Sequence, residues 1–295
     1  MSFENWDEIR TAFQVARLGT VSGAAEVLGV HHATVIRHID ALEARLGARL
    51  FQRHARGYTA TEAGQELFKV GQATEDKFSQ LAARITGAGS EITGELVITS
   101  LPGLSRLVTP TLIQLGRDHP DLKLRYITDV RVFRLEYGEA HVAIRAGDRP
   151  QDPDYVVQAL TTHRTTLYAS HGYIRAHGHP RDEAALAGHR FIGPESPESR
   201  APFNRWLAAS IARDSVVFRS NDLDAIADAI AGGAGVGFLP VIAARGRADL
   251  VEVMPPRAEW DVPLWLVTHV DLHRTPKVQA ILAALKISAR LCTTD

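Results

Sequence analysis

The stretch TVSGAAEVLGVHHATVIRHIDALEARLGARLF at 20–51, followed by TEAG at 61–64, decides the fold. It reads as two short helices joined by a tight turn, then a ribbon, then the start of a longer helix. That order is the form of a winged helix-turn-helix, which holds one helix in the DNA major groove. Before it, Trp6, Ile9, Phe13 and Ala16 fall at helical spacing, with Asn5 to cap the start and Gly19 to stop the end. A second helix runs from about Ser22 to Leu28, and Gly29 allows the turn. The third starts near His31 or His32 and ends at Gly47, with Val35, Ile39, Leu42 and Leu46 on its buried face. The ribbon RLFQRHARGYT at 49–59 has Gly57 at its tip.

A small three-helix bundle of any purpose would share the helix pattern. Local charge favours DNA. From His31 to Tyr58 there are five arginines, at 37, 45, 49, 53 and 56, against the two acids Asp40 and Glu43. The whole chain of 295 residues carries a formal charge of only −1, so a phosphate-binding surface has to be built from such a patch. Arg45 and Arg49 read equally well as solvated or ion-paired side chains.

Thr61 caps a longer helix running to about Ile85, with Leu67, Val70, Phe78, Leu81 and Ile85 as its apolar positions. A stripe leaving so small a domain needs a partner, and a second chain is the natural one. TGAGS at 86–90 is the first clear linker. Beyond it strands and helices alternate. Strands are predicted at 95–100, 123–128, 141–146, 155–161, 165–170, 215–220, 235–240 and 264–269. Helices are predicted through Leu104–Leu115 and at 131–138, 172–178, 201–210, 222–231, 241–247 and 275–287. Alternation of this kind implies a largely parallel sheet covered by helices, with length enough for two α/β lobes.

Composition narrows the class further. The single cysteine, Cys292, allows no disulfide within the chain and fits a reducing cytosol. The N-terminus shows no signal peptide, and no uncharged apolar run reaches membrane-spanning length, so a cytoplasmic protein with no membrane partner is expected. GGAGVG at 232–237 follows a helix and leads into a strand, the reverse of a dinucleotide loop, and reads as a helix stop. His171, His177 and His179 lack a cysteine or carboxylate at metal-ligand spacing and read as a solvated loop. There is no G-x-S-x-G, P-loop or H-E-x-x-H. No catalytic residue, metal or cofactor is expected, and the chain does not read as an enzyme.

AAEVLGV at 24–30, RHIDALE at 37–43, LGARLF at 46–51, Arg53 and TEAG at 61–64 together resemble the N-terminal module of LysR-type transcriptional regulators. HPDLKL at 119–124, GEAHVAI at 138–144, LAGHRFI at 186–192 and GGAGVGFLP at 232–240 are similar in outline to segments of that family's effector domain. The resemblance implies a winged helix-turn-helix at 1–60, a linker and dimerisation helix with hinge at 61–90, and a two-lobed α/β domain at 91–295 like a periplasmic binding protein. Lobe I would take about 91–162 and 264–295, lobe II about 163–263. It also implies a homodimer or homotetramer, a double-stranded DNA operator, a small-molecule effector and contact with RNA polymerase. The alternative is an architectural DNA-binding protein without effector.

Matched to the family pattern, the DNA-facing positions are His31, His32, Ala33, Thr34, Ile36 and Arg37 on the recognition helix, with Arg53 and Arg56 as phosphate contacts in the wing. His31, His32 and Ile36 depart from the residues usual there, so base readout cannot be carried over. His31 is expected to cap poorly, leaving Thr34 or the backbone to compensate. For the effector, ligands of open α/β lobes sit beyond the C-terminal ends of strands. That selects Ser100, Leu101, Pro102 and Gly103, then Val130 and Arg131, then Ser220 and Asn221, with Gly237 and Phe238 on the floor and Arg145 at a strand end. Arginines and helix N-termini there would suit a small organic anion. The plain alternatives are helix caps for Ser220 and Asn221 and surface charges for Arg131 and Arg145.

Overall fold

A computed structural model describes residues 5–54, 57–86, 92–196 and 198–293. The chain divides into two compact units, one of Met1–Glu91 with Arg134–Ala140 and one of Ile92–Phe133 with His141–Asp295.

The first unit opens with α1 (Trp6–Leu18), α2 (Val21–Leu28) and α3 (His32–Leu46). Asn5 caps α1 by accepting the Asp7 N–H, and Thr20 caps α2 through the Gly23 N–H at 3.1 Å. Gly19, Gly29 and Gly47 close the three helices in the left-handed region. The ribbon is β1 (Phe51–His54) paired antiparallel with β2 (Gly57–Ala60), and α4 (Glu62–Thr86) follows, capped by Thr61 through the Gly64 N–H. The small core joins Ala12, Val15, Ala24, Ala25, Val35, Ile39, Leu42, Leu50 and Phe51. Trp6, on the same helical face as Ile9 and Phe13, is 60% exposed, and its ring meets Phe78 of α4 edge-on at 6.3 Å.

The second unit holds two five-stranded sheets. In chain order it runs β3 (Gly94–Ser100), α5 (Ser105–Asp118), β4 (Leu122–Thr128), β5 (Val142–Ala146), β6 (Tyr155–His163), β7 (Thr165–Ser170), α6 (His171–His177), β8 (Phe191–Pro194), α7 (Pro202–Ser210), β9 (Val216–Ser220), α8 (Leu223–Ala231), β10 (Val236–Pro240), α9 (Val241–Ala244), β11 (Leu250–Glu252), β12 (Val262–His269), α10 (Val270–His273) and α11 (Pro276–Thr293). The strand orders are β4-β3-β5-β12-β6 and β11-β7-β10-β8-β9. Each sheet is mixed, where a largely parallel one was expected. β3 pairs parallel with β4 and β5, and β8 with β9 and β10, but β12 runs antiparallel to β5 and β6, and β7 antiparallel to β10 and β11. The cause is the path of the chain. It leaves the first sheet at Arg164 and returns at Val262, and each crossing inserts a strand against the parallel direction.

Other local differences have equally local causes. Residues 131–138 form no helix beyond a 3-10 turn at Leu135–Tyr137, because the Glu139 carboxylate accepts the Arg134 N–H at 2.9 Å and Phe133 and Leu135 are both buried, two residues apart. α9 stops at Ala244, since Gly246 turns the chain at φ 77°. Strands β8 and β11 were not foreseen. The first lobe packs α5 and α11 on Leu96, Ile98, Val142, Ile144, Leu264 and Leu266. The second has two clusters, one around Trp260 and Phe191, the other between α8 and Leu239.

Candidate nucleic-acid interface and effector cleft

Helix α3 turns Val35, Ile39 and Leu42 inward and leaves His32, Ala33, Ile36 and Arg37 exposed. His31, expected to cap poorly, is the N-cap residue of the helix. Its backbone is extended, its Nδ1 accepts the Ala33 N–H at 3.3 Å, and its carbonyl accepts from Thr34 and Val35. Thr34 is half-buried beside it.

The arginines of the basic patch are unlike one another. Arg45 is ion-paired with the buried Glu8, Arg49 with Glu43 at 2.8 Å, and Arg53 with both Asp40 and Glu43. Glu43 is only 5% exposed and also accepts the Leu50 and Phe51 N–H groups. Burial pushes its carboxyl up, but Arg49, those two N–H groups and Arg53 outweigh burial and hold it below its ordinary value. Among the described residues Arg37 has no such ion pair. Arg56 lies outside the described residues.

The wing is fixed at its other edge by glycine. Gly57 has φ +144°, and a β-carbon on it would stand 2.4 Å from the Gly19 carbonyl oxygen. That same oxygen accepts the Tyr58 N–H at 2.8 Å. Only a residue without a side chain lets β2 lie this close to the α1–α2 turn.

In the second unit the C-terminal edges of the two sheets meet. Gly103, after β3, comes so near Leu223 at the start of α8 that a β-carbon would lie 2.5 Å from Leu223 Cδ1. The Asp129 N–H donates to the Ser100 carbonyl, and the Glu195 N–H to the Ser220 carbonyl, so the loops beyond β3 and β4 are joined, as are those beyond β8 and β9.

The sequence-predicted effector residues divide into three groups on this frame. Leu101 is half-buried, Pro102, Asn221 and Val130 are exposed, and Val130 is 79% so. Ser100, Arg131, Arg145 and Ser220 lie at the strand ends but are already engaged. Ser100 Oγ lies within hydrogen-bond distance of the Leu101 carbonyl and shares a hydrogen bond with the Tyr126 hydroxyl at 2.7 Å. Burial, eased by that bond, pushes the Tyr126 phenol up. Arg131 pairs with Asp129 and stacks on Phe133 at 3.8 Å. Arg145 donates to the Phe133 carbonyl and lies over Tyr155. Ser220 Oγ accepts the Asp222 N–H, and it is Asp222, in place of Ser220 or Asn221, that caps α8.

Gly237 and Phe238 form the third group, and neither lies on a cleft floor. A β-carbon at Gly237 would meet Ile230 of α8 at 2.7 Å. The Phe238 ring is 6% exposed, held at 5.0–5.8 Å by Trp260, Phe203 and Trp206. Alternation along β10 sends residue 238 to the α7 side and residues 237 and 239 to the α8 side, so both faces are core.

Sequence reasoning missed the end of β8. After Pro194 the chain reaches Ser199, whose Oγ accepts from Asn204 at 2.9 Å, and then enters α7 at Pro202 with no side-chain cap. α5 likewise starts without one, at Leu104. The signal was FIGP followed by a proline at a helix start, a strand-to-helix junction like the other three. His177 stacks on Tyr173, His179 Nδ1 contacts the Pro180 carbonyl, and among the described residues no group of His, Cys, Asp or Glu could hold a metal ion. Among the same residues no helix is long and apolar enough to cross a membrane.

Comparison with known proteins agrees with this layout. Residues 6–65 match the bacterial regulatory helix-turn-helix of the lysR family, and residues 89–290 match the LysR substrate binding domain. The transcriptional regulator CrgA of Neisseria meningitidis is 27% identical over 203 residues, 68% of this chain and 67% of that one. DmlR of Escherichia coli is 31% identical over 176 residues, 59% of this chain and 57% of that one. The solved structure of ArgP from Mycobacterium tuberculosis superposes with a TM-score of 0.69 at 19% identity, covering 97% of both chains, a likeness of fold. With a helix-turn-helix match at one end and a substrate-binding match across most of the remainder, this chain belongs to the LysR family of transcriptional regulators.

Proposed function

We propose that α3 enters the major groove of a dyad-symmetric operator and that a small organic anion held between the two lobes of 91–295 sets the regulatory state. The observation that carries the first half is the free face of α3. His32, Ala33, Ile36 and Arg37 are exposed together, and Arg37 is the arginine of this helix without an ion pair among the described residues. Histidine offers one donor or acceptor per ring nitrogen, and Ile36 offers apolar contact, for example to a thymine methyl. We assign residues 1–60 to DNA, 61–90 to dimerisation and hinge, and 91–295 to the effector. The exposed stripe of Val70, Phe78 and Leu81 on α4 supports a homodimer or homotetramer in the cytoplasm. Contact with RNA polymerase is the expected output.

Helix ends, more than arginines, supply the positive potential for an anion. Arg131 and Arg145 are engaged, but α5 and α7 present N-termini that no side chain caps, one in each lobe, both at strand C-terminal edges. Such ends favour negative charge. A ligand acts by binding one lobe arrangement better than another, whatever its absolute affinity. The substrate-binding match over 89–290 weighs against an architectural protein without effector.

Two measurements test this. Arg37→Ala should weaken binding to a selected operator in a gel-shift titration; equal binding means the interface lies elsewhere. Calorimetry against a library of small carboxylates should find a ligand, and a library in which only neutral or cationic compounds bind removes the anion.

A further inference from the structure

Arg53 sits in the wing strand β1, where a phosphate anchor is expected. Its surroundings are wrong for that task. Nη2 reaches Asp40 Oδ1 and lies 3.2 Å from Glu43 Oε2, two carboxylates three residues apart on α3. The guanidinium stands over the Tyr58 ring of β2 at 5.5 Å, and Tyr58 in turn packs edge-on against Phe51 of β1. One side chain therefore touches the recognition helix and both strands of the wing. A guanidinium between two carboxylates offers a backbone phosphate no net positive charge. Its protonated form is favoured first by the hydrogen bond to Asp40, against burial.

We propose that Arg53 is a positioning residue, one that sets the angle of the wing on α3, and that it makes no phosphate contact. The Glu43 carboxylate completes the clamp, because the N–H groups of Leu50 and Phe51 bind it at the point where the chain turns into β1. Lysine could not take the same place. Its compact ammonium lacks the planar fork with which Arg53 spans Asp40 and Glu43 while its Cζ stands over the Tyr58 ring.

The proposal rests on α3 entering the groove, and the experiment separates the two. The full chain is titrated with a duplex that the wild type has selected from random sequence, between about 50 and 200 mM salt, for Arg37→Ala, Arg53→Ala, Arg53→Lys and Asp40→Asn. A lost phosphate contact lowers the slope of log K against log salt by about 0.9, whereas a lost clamp lowers affinity with the slope unchanged. We expect Arg53→Ala to bind about tenfold or more weakly at every salt with the wild-type slope, and Arg53→Lys not to rescue it. A slope reduced by about 0.9 with rescue by lysine, or undiminished affinity, overturns the proposal. Thermal unfolding checks that Arg53→Ala is folded. If it is not, Asp40→Asn decides: a clamp predicts weaker binding, and a phosphate anchor freed of its acid predicts tighter binding. Arg37→Ala with unchanged affinity and slope sinks the groove reading itself, whatever Arg53 does.

Discussion

Gly103 and Leu223 hold the two lobes at contact distance: a β-carbon on the glycine would come within 2.5 Å of Leu223 Cδ1. Gly103 also has φ +88°, a conformation that side chains resist. Two separable penalties follow for Gly103→Ala, of about 1–3 kcal/mol together. Thermal unfolding should show the loss, and adding Leu223→Ala should return the steric part and leave the backbone part. A double variant no more stable than Gly103→Ala would mean the lobes do not meet there.

Phe238 is core, and its removal should behave as core. Phe238→Ala should cost about 3–5 kcal/mol, because three aromatic neighbours lose their packing. Its DNA affinity, measured well below the unfolding temperature, should stay near wild type. A variant of normal stability that has lost effector binding alone would return Phe238 to the cleft.

Gly57→Ala tests the seat of the wing. The added carbon would lie 2.4 Å from the Gly19 carbonyl, so the Tyr58 hydrogen bond must stretch or break. Operator affinity should fall more than stability does, since the wing is a short exposed ribbon. Wild-type affinity in a gel-shift titration would show that the ribbon tolerates the shift.

The buried carboxylate of Glu43 gives the first unit an acid limit. Its folded pKa is held below the ordinary value of 4.5, so the stability it adds is present above about that pH and lost as pH falls through the folded value. Glu43→Gln should be less stable at neutral pH by about 1–3 kcal/mol, with part of the acid dependence removed. Urea titrations at several pH values check both, and parallel curves for the two proteins would contradict the assignment.

His189 gives the effector unit the same sign at higher pH. Burial, then the neighbouring His177 and His179, push its imidazole below the ordinary 6.5. Below that pH the unfolded chain binds a proton that the folded chain resists, so stability falls as pH drops from 6.5 toward the folded value. The melting temperature should decline across this window, and His189→Gln should lessen the decline, with the likewise depressed His163 and His273 supplying the rest. A midpoint independent of pH there would rule the coupling out.

Much of this molecule was legible in order along the chain. The three helices of the first unit, their glycine stops, the ribbon and the Thr61 cap all follow from spacing and cap chemistry within a few residues, and the tertiary fold did not override them. The strand–helix junctions at Ser100 and Ser220 were legible for the same reason: the signals are local.

What only the tertiary structure decided is partnership. Arg37, Arg49 and Arg53 look alike in sequence, yet Arg49 and Arg53 are bound to Glu43 across a turn and Arg37 is not. Phe238 reads as a strand end beside a cleft until Trp206 and Trp260 close over it. Charge and apolarity are properties of a residue. Whether that charge is spent on a neighbour, or that ring on a core, depends on which distant segments the fold brings within a few ångströms.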